Sequence, residues 1–172
     1  MPAVELAATS GGPVRLSDER SPPRTVVFAY PRTGRPGVEP LVADWDAIPG
    51  ARGCTPETCG FRDLHEQLRE AGAGVFGLST QDSAYQREAA QRLGLSFPLL
   101  SDADLQLTEA LRLPTFQVAG QTLLRRLTLV LRGGAVEHVF YPVFPPDGHA
   151  LEVLDWLRDH PLEEAVARAA GH

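Results

Sequence analysis

Apolar residues along this chain follow two rhythms that alternate. Thr25-Val26-Val27-Phe28-Ala29-Tyr30 is a short continuous apolar run between Pro22-Pro23 and Pro31. Rich in β-branched and aromatic residues, it predicts a buried strand. From Phe61 the rhythm changes. Phe61, Leu64, Leu68 and Ala71 are separated by Arg62, Asp63, Glu66, Gln67, Arg69 and Glu70, and Gly72 follows. That is helical spacing with a stop. Val75-Phe76-Gly77-Leu78 predicts a second strand. Ser83-Ala84-Tyr85-Gln86 then forms a capping box ahead of a helix with its stripe at Tyr85, Ala89 and Leu93, ending at Gly94. Phe97 to Leu100 predicts a third strand, and a short helix capped by Ser101 or Asp102 runs on to Leu111. Leu127 to Leu131 and Ala135 to Tyr141 flank Gly133-Gly134 and read as a hairpin. Pro145-Pro146-Asp147 introduces a last helix, with Leu151, Leu154 and Leu157 on one side.

Alternating strands and helices followed by an antiparallel pair predict an α/β fold: a mixed central β-sheet with helices on both faces. This order resembles that of thioredoxin-like domains. The 172 residues suit one domain spanning 1–172, and 43% hydrophobic with 22% charged residues is ordinary globular composition. One stretch departs from an idealised layout. Arg32 to Gly53 carries three prolines, several glycines and an isolated Trp45, and it is longer than most connections inside a compact domain. Its place after the first strand puts it over the carboxyl end of the sheet, where open α/β folds bind ligands.

The net charge of -6 makes the average surface repel phosphates and anionic headgroups, which argues against nucleic acid and membrane surfaces as partners. The apolar runs are far shorter than the roughly 20 residues of a membrane helix. The N-terminus, Met1-Pro2-Ala3-Val4-Glu5, lacks the basic and apolar regions of a secretory signal. A cytoplasmic protein is expected, as a monomer or weak homodimer.

In a reducing compartment, a pair of cysteines is more often transient chemistry than a structural staple. The chain has two, Cys54 and Cys59. Thr55-Pro56 predicts a helix start, since threonine caps and a proline in the first turn loses only an amide hydrogen without a partner. Cys54 then sits at the helix N-terminus, where free N–H groups and the macrodipole favour a thiolate with a depressed pKa. Five residues on, Cys59 lies about 8 to 9 Å away between Cα atoms in a regular helix, beyond the roughly 7 Å a disulfide spans. Bonding the two sulfurs therefore requires the first turn to unwind. The competing reading is a pair of small buried hydrophobes. Zinc is disfavoured, because His65 is the only histidine near a pair that would need two more ligands. No metal or cofactor is expected.

Gly53-Cys54-Thr55-Pro56-Glu57-Thr58-Cys59-Gly60-Phe61-Arg62-Asp63 resembles the active-site segment of the peroxiredoxin Q subfamily, also called bacterioferritin comigratory protein. Phe28-Ala29-Tyr30-Pro31, Gly77-Leu78-Ser79, Phe97-Pro98-Leu99-Leu100-Ser101-Asp102 and Arg126-Leu127-Thr128 resemble further segments of it. The resemblance implies a thioredoxin-like fold and a thiol-dependent peroxidase. Cys54 would be the peroxidatic and Cys59 the resolving cysteine, Arg126 would favour the thiolate and polarise the peroxide, and thioredoxin or a similar dithiol would reduce the resulting disulfide. Arg125 competes with Arg126, although strand alternation places Arg126 with Thr128 and Arg125 with Leu127 and Leu129.

The chain departs from the family at one place. The family carries Pro-x-x-x-Thr/Ser-x-x-Cys, whereas the matching positions here are Ala47 and Ala51, as though an insertion splits the motif. Pro31 and Thr33 are then the candidates to shield the sulfur and bind the hydroperoxide. Thr33 also reads as a turn residue, and Thr55 and Thr58 are alternative hydroxyls. Glu57 is electrostatically unfavourable beside a thiolate yet suits a first helical turn. Two other functions fit the same residues: a peroxide sensor or thiol–disulfide oxidoreductase, and a non-catalytic thioredoxin-like binding module.

Overall fold

The computed structural model describes residues 1–163; residues 164–172 of the expected domain lie outside the described residues. The first strand of the sequence pattern, β3 (Arg24–Ala29), is buried at every position because it runs mid-sheet. It pairs in parallel with β4 (Ala73–Ser79) and antiparallel with β8 (Leu127–Arg132). Beyond β4 lies β5 (Leu99–Ser101), parallel to it, and β9 (Ala135–Phe140) closes the other edge as the hairpin partner of β8. The expected mixed sheet is therefore present.

Successive residues of a strand face opposite sides, and this divides the core. On one side Val26, Phe28 and Val75 meet Phe61 and Leu68 of α1 (Cys54–Glu70) and Val153, Leu154 and Leu157 of α4 (His149–Asp159). Ala90 of α2 (Ser83–Leu93) packs against the same cluster. On the other side Val27, Ala29, Leu127, Leu129 and Leu131 meet Leu107 of the short α3 (Gln106–Leu111). Helices thus cover both faces. The rings of Phe28 and Phe61 stack at 4.3 Å between centroids, joining β3 to α1; each such buried aromatic contributes roughly 1.5–3 kcal/mol. Gly77 permits this packing. A Cβ there would stand 2.5 Å from Leu99 and 3.0 Å from the Phe28 ring.

Several local expectations are corrected. The cap of α2 is Asp82, whose Oδ1 accepts from Tyr85 N–H at 2.8 Å, one residue before the proposed capping box. Asp102 does serve the start of α3, its carboxylate accepting from the N–H groups of Leu107 and Thr108. Leu151 is 51% exposed, because the buried stripe of α4 is Ala150, Val153, Leu154 and Leu157, the i, i+3, i+4, i+7 set. Two hairpins were not expected. β1 (Glu5–Ala8) and β2 (Pro13–Arg15) extend the sheet beyond β5, and β6 (Thr115–Val118) and β7 (Gln121–Leu124) form a separate pair. No helix among the described residues is long and apolar enough to cross a membrane.

Candidate active site

The carboxyl ends of β3 and β4 open onto the start of α1. Gly53 precedes the helix with φ of 101°, a left-handed conformation open to glycine at little cost, and Glu57 N–H closes the first turn on Gly53 C=O at 3.0 Å. Cys54 is consequently the first helical residue. Thr55, the expected cap, lies inside the helix instead, and Gly53 offers no side chain for capping.

Cys54 is 3% exposed. Its Sγ faces two partners: Ala51 C=O, which accepts from the thiol at 3.6 Å, and Arg126, whose Nη2 lies 3.3 Å away. Arg126 is held from several directions at once. Its Nη2 also donates to Arg52 C=O at 3.0 Å, and Nη1 bonds the Glu57 carboxylate. A guanidinium carries its donors in a rigid fork, so these contacts fix the one aimed at sulfur. Arg125 is exposed, over the Phe116 ring; of the two candidate arginines, Arg126 is the one brought to Cys54.

Burial pushes the Cys54 thiol above its ordinary value, against the pull of the Arg126 guanidinium and the backbone N–H of Arg32. The expected depressed pKa is therefore corrected. The helix start and the cation are in place, but taking the sulfur out of water outweighs them. Glu57 shares this environment. Burial raises its carboxyl to about 7 despite Arg126, and its Oε1 has no hydrogen-bond partner among the described residues. The Tyr30 hydroxyl, also buried and close to both acids, is raised by burial and stays protonated.

The other predicted residues are placed as follows. Cys59 is half-buried and in its reduced form, like Cys54, and α1 is continuous from one to the other; the helical separation of about 8 to 9 Å between Cα atoms holds. Pro31 and Thr33 are buried. Thr33, however, faces Gln81 rather than the sulfur. Its N–H and hydroxyl donate to Gln81 Oε1 at 3.2 and 3.3 Å, and Gln81 Nε2 donates back to Thr33 C=O at 3.1 Å. Ala51, three residues before Cys54, is fully buried beside it and carries a methyl group where the family motif has a hydroxyl. Thr58 donates to Cys54 C=O at 2.7 Å, not to the sulfur. Sequence reasoning missed Gln81, the N–H of Arg32 and His149. Burial lowers the pKa of His149, which meets Thr128 Oγ1 at 2.7 Å and Glu152 at 3.2 Å. The signal for these was weak, since each is an isolated polar residue in an otherwise ordinary segment.

Comparison with known proteins points to one family. A model of the Redoxin family matches residues 1–154. Peroxiredoxin Bcp of Escherichia coli (strain K12) is 30% identical over 163 residues, covering 92% of this chain and 93% of that protein. Peroxiredoxin Q, chloroplastic, of Sedum lineare is 33% identical over 158 residues, covering 91% and 75% respectively. Among solved structures, Peroxidoxin BcpB of Mycobacterium tuberculosis superposes with a TM-score of 0.72 at 30% identity, over 91% of this chain and 92% of that one.

Proposed function

Because the chain belongs to the Redoxin family, in its peroxiredoxin Q and Bcp branch, and is a thiol peroxidase, we propose that Cys54 is the sulfur that reduces the peroxide. Cys59 resolves it and Arg126 drives the first step. The observation that carries this assignment is Arg126 Nη2 at 3.3 Å from Cys54 Sγ, at the start of the helix that also bears Cys59.

The chemistry follows from the geometry. A hydroperoxide enters beside Arg126, and its oxygens restore hydrogen bonding around the sulfur, which removes part of the burial penalty on the thiolate. The Arg126 guanidinium beside the sulfur favours the thiolate that attacks. Sulfur attacks one peroxide oxygen and the O–O bond breaks. Cys54 becomes a sulfenic acid, and the other oxygen leaves as water or an alcohol with the proton that the thiol released. Arg126 stabilises the charge developing on the departing oxygen. Once the first turn of α1 unwinds, the Cys59 thiol condenses with the sulfenic acid, releasing water and forming the disulfide. An external dithiol, thioredoxin or a similar protein, reduces that bond by thiol exchange, giving up two electrons and becoming a disulfide itself. Pro31 shields the sulfur. Thr33 acts on the peroxide only after giving up Gln81. A transient cysteine pair suits the reducing cytoplasm, and the proposed working unit is a monomer or weak homodimer.

Stopped-flow mixing of the reduced protein with hydrogen peroxide tests the reading. Rapid loss of both thiols to an intramolecular disulfide, with sustained peroxide consumption once thioredoxin is supplied, is expected. Oxidation without turnover points to a sensor instead, and reaction no faster than that of free cysteine removes the assignment.

A further inference from the structure

We propose that Tyr85, on α2, is a positioning residue for Cys54: its ring, gripped by Arg32 and Arg35, fixes the backbone segment that faces the sulfur. The inference rests on Cys54 as the reacting thiol and adds a residue from an element that does not touch it.

The segment in question begins an irregular stretch. Between Tyr30 and Cys54 the only regular structure is one 3-10 turn at Trp45–Ala47, so little within the stretch itself holds the chain in one conformation. Every residue from 32 to 35 is instead fastened to α2 or to the residues leading into it. The Arg32 guanidinium lies over the Tyr85 ring at 4.9 Å from its centroid, and Arg35 lies over the same ring at 4.6 Å. Thr33 exchanges three hydrogen bonds with the Gln81 side chain. Gly34 C=O accepts from Arg92 Nη2 at 2.9 Å. Two guanidinium groups on one ring repel each other. Glu88 offsets this, at 3.2 Å from Arg35 and 2.7 Å from Arg92.

The same ring lines a cavity of about 140 Å³ with Val38, Leu41 and Trp45, so it gathers the far part of the stretch as well. At the other end of the clamp, Tyr30, two residues before Arg32, lies in the same buried cluster as Cys54, and the Arg32 N–H favours the thiolate. A backbone N–H is present whatever side chain occupies position 32. Its usefulness depends on where the chain is held, and an arginine stacked on a half-buried tyrosine holds it by a contact that needs the ring and not the hydroxyl.

The test uses the full chain in a Cys59→Ser background, so that only Cys54 reports. Two quantities are read: the Cys54 pKa from ultraviolet thiolate absorbance, and the second-order rate with hydrogen peroxide. Tyr85→Ala is expected to raise the pKa by about one pH unit and slow the rate about tenfold, whereas Tyr85→Phe keeps both. Arg32→Ala causes a smaller change in the same direction, and adds nothing once Tyr85 is already alanine. Arg32→Ala alone decides the matter if Tyr85→Ala does not fold. A wild-type pKa and rate in Tyr85→Ala, equal damage from phenylalanine and alanine, or additive effects at 32 and 85 overturn the proposal. Failure of the peroxidase reading looks different: the parent itself then shows no oxidation of Cys54 by peroxide, while the thiolate titration, which needs no peroxide, still decides the role of Tyr85.

Discussion

Gly53 lies directly against the ring of Pro146: a Cβ built on the glycine stands 2.5 Å from the proline Cγ. The contact joins the start of the cysteine helix to the 3-10 turn Pro146–Gly148 that leads into α4. Gly53→Ala therefore meets two penalties, a left-handed backbone and a clash. We expect a loss of about 3 kcal/mol in denaturant unfolding, together with slower peroxide reduction as Cys54 shifts. A variant as stable as its parent removes this contact as the element that sets the helix start.

The two cysteines are expected to separate cleanly. Cys54→Ser abolishes peroxide reduction. Cys59→Ser leaves the first oxidation intact but strands the sulfenic acid, so repeated exposure drives Cys54 to sulfinic and sulfonic forms visible by intact mass. Equal first-step rates in the parent and Cys54→Ser contradict the assignment.

Arg126→Ala is expected to slow the peroxide step roughly 100-fold, the order found for losing one donor to a developing oxyanion, while reduction of the disulfide by dithiol keeps its rate. Arg126→Lys restores the charge but not the fork and falls between the two. The reverse pattern, with reduction slowed and oxidation untouched, assigns the arginine to another step.

Glu57 gives a pH dependence with a definite sign. Its carboxyl is raised by burial from 4.5 to about 7. In the unfolded chain it ionises first, so stability is fully present below pH 4.5 and is lost as pH rises through about 7, by roughly 3 kcal/mol in all. His149, lowered by burial, acts in the opposite direction, losing stability as pH falls below the ordinary histidine range. The diagnostic quantity is therefore the difference between the parent and Glu57→Gln. That difference is expected to decline between pH 4.5 and 7, and a flat difference is incompatible with a protonated Glu57 in the folded protein.

Much of this was legible in the chain, and the reasons for the gaps are physical. β3 and β8 stood out because both faces of each are buried, which writes a continuous apolar run. α1 and α2 stood out because each buries one stripe. The β1–β2 hairpin did not, since four and three residues give too little alternation to register. The β6–β7 hairpin did carry a signal, in Ala119-Gly120 with positive φ at both turn residues, but the flanking strands mix Thr, Gln, Phe and Leu. At the site, residue order and the family resemblance pointed to Cys54, Cys59 and Arg126, and the structure brings Arg126 to Cys54. The raised thiol was not legible, because desolvation belongs to the packed structure and has no one-residue signature. Nor was the pairing of Thr33 with Gln81, which joins positions 48 residues apart.

In the proposed cycle the first turn of the 17-residue α1 stays wound only while its two sulfurs stay apart, which makes the helix start a gauge of its own oxidation state. In the reduced protein, the amide hydrogens of Thr58 and Cys59 are protected by that winding and exchange slowly with solvent. Each catalytic cycle lifts that protection and then restores it, so the fraction of molecules caught mid-cycle is written in deuterium at Thr58 and Cys59.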